Sequence, residues 1–121
     1  MTNEEKQLLY KDLCGRLPYG VKIKFYSTEY PYGSEPVILT VDLLKDRWEN
    51  IHDVKPYLRP MDSMTEEEEI YYNTVYTTLK FYQKVDWLNA HHFDFRGLIQ
   101  KEWSNQNGLA LEAPEGIYKT E

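Results

Sequence analysis

The groups in this chain that could do covalent or metal chemistry are three histidines, His52, His91 and His92, one cysteine, Cys14, and scattered carboxylates. A zinc-type centre needs three or four N, S or O donors converging on one point. His91 and His92 are adjacent, so on a helix their side chains diverge by about 100° and cannot readily share an ion. Only if tertiary structure gathered His52, His91, His92 and Asp94 would a metal centre or a small hydrolase result. Pairs such as Asp94 with Glu102, or His52 beside Asp53, have no motif spacing. The chain lacks H-E-x-x-H, a Walker lysine loop, G-x-G-x-x-G and G-x-S-x-G, and its 6 glycines are too dispersed to build a phosphate nest. The reading is a noncatalytic protein with no catalytic residue, no metal and no cofactor; the small hydrolase or metal enzyme is kept as a third alternative. Cys14 falls among apolar positions and is expected to be a buried filler with an unreactive thiol. A single cysteine also excludes an intrachain disulfide framework.

Binding chemistry is better represented. Aromatic residues make up 15% of the chain, with 11 tyrosines, and tyrosine joins a large apolar ring to a polar tip that suits half-wet contacts. Tyr19, Tyr26, Tyr30 and Tyr32 flank Lys22 and Lys24. Tyr26, Tyr30 and Tyr32 are the candidate residues for binding a protein partner. Lys22, Lys24, Tyr26, Lys55 and Arg59 are the candidates for the alternative, nucleic-acid binding on a basic and aromatic sheet face. Two plainer readings compete: large rings filling a small core, and a solvated strand face whose lysines discourage edge pairing. The net charge of −6 argues against broad, nonspecific attachment to phosphates. It is unevenly placed: residues 1–60 hold nine acids and nine bases, residues 61–121 eleven acids and five bases.

The elements that must position these residues follow from periodicity. A length of 121 residues suits one domain, 1–121. Thr2 and Glu5 form a capping box that opens a helix bearing Leu9, Tyr10, Leu13, Cys14 and Leu17 on one stripe, stopped at Gly15 or by Pro18 and Gly20. Val21 to Tyr26 alternates as a half-buried strand, and Ser27 to Pro36 is a long loop. A second strand is expected with Val37, Leu39, Val41 and Leu43 on one face, and a short third at Arg47–Asn50. Val54–Leu58 adds an extended piece that Pro56 and Pro60 confine to an edge or connector. Either Ser63 with Glu66 or Thr65 with Glu68 caps a helix whose four glutamates suit the positive end of its dipole. Residues 73–78 are β-prone, so that helix competes with a strand there. Asp86 is expected to cap a last helix through about His91, with Trp87 and Leu88 inward. From about 104 to 121 the pattern fades into an irregular or loosely docked tail. The fold class is α+β: an N-terminal helix, a small antiparallel sheet of about three strands, and one or two C-terminal helices.

The string Lys55-Pro56-Tyr57-Leu58-Arg59-Pro60-Met61-Asp62-Ser63-Met64-Thr65-Glu66-Glu67-Glu68 resembles short proteins of Bacteroides-type gut bacteria and their phages or prophages. The resemblance returns at Asp86–Asn89, at His92–Ile99 and at Gly108–Gly116. That group has no assigned activity and transfers no site residue. It implies a phage or mobile-element accessory protein acting inside the cell. No apolar run approaches the roughly 20 residues that cross a bilayer, and Met1 to Leu13 lacks a signal-peptide pattern, so the expected compartment is the cytoplasm, with no membrane partner.

Overall fold

The computed structural model describes residues 2–75, 81–100 and 108–118. Helix α1 (Asn3–Arg16) opens on the expected capping box: the Glu5 N–H donates to Thr2 Oγ1 at 3.1 Å and the Thr2 N–H donates to Glu5 Oε1 at 2.8 Å. Its inward stripe departs from expectation. Leu9 and Leu13 are fully buried, but their buried companions are Glu5, Asp12 and Arg16, while Tyr10 and Cys14 are exposed. Cys14 is therefore not a core filler. Asp12 and Arg16 can be buried because their charges are matched. Arg16 Nε donates to Asp12 Oδ2 at 2.8 Å, Arg96 Nη1 to Asp12 Oδ1 at 2.7 Å, and Arg16 Nη2 to the Phe93 carbonyl at 2.6 Å. A 3₁₀ turn at Leu17–Tyr19 leads to Gly20, whose φ of 69° is the left-handed geometry glycine adopts without strain.

The fold is α+β, and its sheet has four strands of mixed sense rather than about three antiparallel ones. In β2-β1-β3-β4 order these are β1 (Lys22–Phe25), β2 (Val37–Ile38), β3 (Val54–Leu58) and β4 (Leu111–Glu112). β1 runs antiparallel to β2 and β3, and β4 runs parallel to β3. The expected second strand stops after two residues. Thr40 Oγ1 accepts from the Leu43 N–H at 3.1 Å and starts helix α2 (Val41–Asp46), which buries Leu44. A threonine cap followed by Asp42 in the first turn outweighed the apolar alternation. Arg47–Asn50 is not a strand but a turn, closed by the Asn50 N–H donating to the Arg47 carbonyl at 3.0 Å.

β3 is an interior strand despite Pro56. The Tyr26 N–H donates to the Asp53 carbonyl at 2.9 Å, in register with Lys24 opposite Lys55. Hydrogen-bonded pairs alternate in an antiparallel ladder, so the Pro56 nitrogen faces away from β1. On that other side, β4 pairing begins only at Tyr57. The missing N–H is thus never required. Ile23, Val54 and Leu58 from the inner face join Leu9, Leu13, Leu39, Leu44, Ile51, Leu98 and Leu109 in one core.

Helix α3 (Glu66–Val75) uses the Thr65–Glu68 box. It is helical through Val75, and residues 76–78 of the ambiguous stretch lie outside the described residues. Helix α4 (Phe81–Ala90) begins before Asp86, which lies inside it rather than at its cap. Leu88 is buried as expected, and Trp87 is half-buried against Tyr71, Tyr72, His91 and Phe93. Within the tail, Leu109 and Ala110 are buried and the Ala113 N–H donates to the Leu58 carbonyl at 2.7 Å. Residues 108–118 are therefore docked, and Glu102 falls outside the described residues. Among the described residues no helix is long and apolar enough to cross a membrane.

Candidate interaction surface

Strand parity sorts the basic and aromatic candidates. Ile23 and Phe25 share the inner face with Val54 and Pro56, so Lys22, Lys24, Tyr26, Lys55, Tyr57 and Arg59 occupy the outer one. All five nucleic-acid candidates thus stand on one face of the sheet. Much of that face is already committed to the tail. Lys22 Nζ donates to the Ile117 carbonyl at 2.8 Å. Tyr118 Oη accepts from the Lys22 N–H at 2.8 Å and donates to the Tyr57 carbonyl at 2.6 Å, tying β1 to β3. Burial raises the Tyr118 phenol above its ordinary range, and that of Tyr57 less so. The Lys24 stem packs on Gly33, where a Cβ would come within 2.5 Å of it. Tyr26 is half-buried.

Arg59 is committed as well. Its guanidinium forks onto the two Glu68 oxygens and lies 4.2 Å from the Phe93 ring centre. The same Glu68 caps α3, so one carboxylate both starts that helix and joins it to β3. Hydrogen bonding from Arg59 holds the Glu68 carboxyl down at about 2, against a smaller opposing push from burial.

The histidines take separate partners. His52 sits beside Asp53 at 3.5 Å, and His91 Nδ1 is 3.4 Å from Glu68. His92 is buried and its ring stacks on Tyr118 at 3.6 Å. Asp94 accepts from the Leu98 and Ile99 N–H groups at 2.7 and 2.9 Å, folding the loop after α4. Among the described residues no three His, Cys, Asp or Glu side chains are placed to hold a metal ion.

A different assembly is partly open to solvent, with Tyr10, Tyr30 and Trp48 exposed and Phe25 and Arg47 half-buried. The Tyr30 ring meets Phe25 edge-on at 5.5 Å, Arg47 lies 4.8 Å from the Phe25 ring centre, and the adjacent Trp48 meets Tyr10 at 4.2 Å. These contacts form two groups, Tyr30–Phe25–Arg47 and Trp48–Tyr10, which the chain joins at Arg47–Trp48 into one band from the β1–β2 loop past the end of α2 to α1. At one end Tyr32 is 90% exposed. At the other, Tyr10, Cys14, Leu17, Val41, Leu44, Lys45 and Trp48 line an open groove of about 400 Å³. Hydrogen bonding to Cys14 raises the Tyr10 phenol above its usual value. Tyr30 and Tyr32 are among the candidates named from the sequence, and Tyr10, Arg47 and Trp48 are not. The sequence pattern assigns Trp48 to a strand and Tyr10 to an inward stripe. For Trp48 the available signal was the Thr40 cap, which replaces the expected strand with α2; the local sequence carries no such signal for Tyr10.

No family model, curated protein or solved structure matches the chain, so the reading of its surface rests on this geometry.

Proposed function

We propose that the chain is a noncatalytic interaction module that binds a protein partner through exposed aromatic side chains. The carrying observation is the Tyr30–Phe25–Arg47–Trp48–Tyr10 band ending in an open apolar groove. Tyrosine, tryptophan and arginine are the residues that most often dominate binding energy at protein interfaces. Tyr30 and Tyr32 extend the band at the loop tip, and Tyr26 lies half-buried on the adjoining sheet face. With the resemblance to phage and prophage proteins, this supports an accessory role inside the cell for a phage or mobile element. The nucleic-acid alternative has less support, because Lys22 and Arg59 are already bonded within the fold.

The test is capture from a lysate of the native host by tagged protein, with and without nuclease, comparing wild type with Trp48→Ala and Tyr32→Ala. The proposal expects a discrete protein that survives nuclease and is lost or depleted with both variants. Equal capture by all three proteins overturns the assignment of the band. Capture that vanishes with nuclease transfers the function to the Lys and Tyr sheet face.

A further inference from the structure

Where α1 crosses the end of α4, three buried side chains each present a polar atom without a hydrogen-bond partner: Arg16 Nη1, Asn89 Oδ1 and His92 Nδ1. The residues are 0%, 3% and 9% exposed. Such groups are rarely left unpaired, because each costs about 1–3 kcal/mol when desolvated alone. The three residues lie at one junction of the chain, through contacts of their neighbours and main chain. The Asn89 carboxamide packs within 3.2–3.9 Å of the Cβ position of Gly15, next to Arg16. Arg16 Nη2 donates to the carbonyl of Phe93, the residue after His92. The His92 N–H donates back to the Asn89 carbonyl at 3.1 Å.

His92 also holds a φ of 63°, the left-handed conformation at which a helix end ordinarily uses glycine. For a residue with a Cβ this conformation costs of order 1 kcal/mol. One side of the His92 ring is supplied by Tyr118; the orphaned nitrogen concerns its edge.

We propose that a single internal water bridges Arg16 Nη1, Asn89 Oδ1 and His92 Nδ1. The valences close: the water oxygen accepts from the Arg16 N–H and its two hydrogens go to the Asn89 oxygen and the His92 nitrogen. Three protein partners are the usual number for a buried water. A small anion is disfavoured, since Asp12 already neutralises Arg16 and two of the three groups are acceptors. A cation would meet Arg16 directly. The bridge requires a neutral imidazole protonated at Nε2. The charges around His92 agree: desolvation first, then Arg16, Arg59, His91 and Lys22, lower its pKa to about 4. This inference is independent of the proposed function.

The test is long-range ¹H–¹⁵N NMR of the full chain labelled at histidine nitrogen, near neutral pH, with water-to-protein NOE measurement. The bridge predicts an unprotonated Nδ1 and a protonated Nε2 for His92. It also predicts a water cross-peak to the Asn89 side-chain amide. A His92 protonated at Nδ1 overturns it, because that nitrogen could then no longer accept a hydrogen from the water. A wild-type spectrum with no water cross-peak at Asn89 overturns it equally.

Discussion

At the residue scale, the most demanding feature is a charge cluster inside the core. Asp12 is fully buried and accepts from both Arg16 and Arg96. Asp12→Ala would leave Arg16 as a buried, uncompensated cation, so a loss of about 3–5 kcal/mol is expected in urea unfolding. Replacing Asp12 and Arg16 together by apolar residues should cost clearly less than the single change. Two titrations should shape stability in acid. Glu68 has its folded pKa lowered from 4.5 to about 2. Its contribution is complete above 4.5 and is lost as pH falls through that interval towards 2. Part of the carboxylate is solvated, so about 1–2 kcal/mol is a reasonable size after screening. His92 is lowered from 6.5 to about 4. The unfolded chain takes up that proton first, so stability declines between 6.5 and 4. Glu68→Gln should flatten the lower interval of the stability–pH curve and leave the upper one standing.

At the element scale, the C-terminal segment acts as a strap across the outer sheet face, with Tyr118 bonded to main-chain groups of β1 and β3. Tyr118→Phe removes both bonds to the hydroxyl while retaining the ring on His92. Faster amide exchange is expected at residues 109–118 and at Lys22, whose N–H loses its acceptor, with the rest of β1 and α1 little changed; uniform acceleration everywhere would show that the strap does not open separately. Thr65→Ala removes the α3 cap and frees Glu68 from it, with about 1 kcal/mol expected in thermal or chemical unfolding. Local signals of this kind were legible in the sequence: both capping boxes, the β1 alternation and the α+β class follow from neighbouring residues. What escaped were choices made by distant partners. The register between β1 and β3 allows Pro56 inside the sheet, and the short β4 arrives from residues 111–112, more than fifty positions away. Likewise Asp12 and Arg16 read as polar helix positions until Phe93 and Arg96 are brought beside them.

At the scale of the whole molecule, the two outer regions have been used differently. On the basic sheet face Lys22 is held by the strap and Arg59 by the Glu68 fork, while Tyr10, Tyr30, Tyr32 and Trp48 of the aromatic band are left exposed. Tyr30 and Tyr32 were readable because a Tyr-Pro-Tyr-Gly loop has no core to enter. Trp48 and Tyr10 became part of the same surface only through the tertiary contact between them. The measurement that tests this most directly is the affinity of the captured partner, by titration calorimetry, for wild type, Trp48→Ala and an Ile70→Ala control on α3. The account predicts a weakening of at least about 30-fold for Trp48→Ala, the size of an interface hot spot of about 2 kcal/mol, with the control near wild type. Equal affinity for wild type and a cooperatively folded Trp48→Ala protein would contradict it.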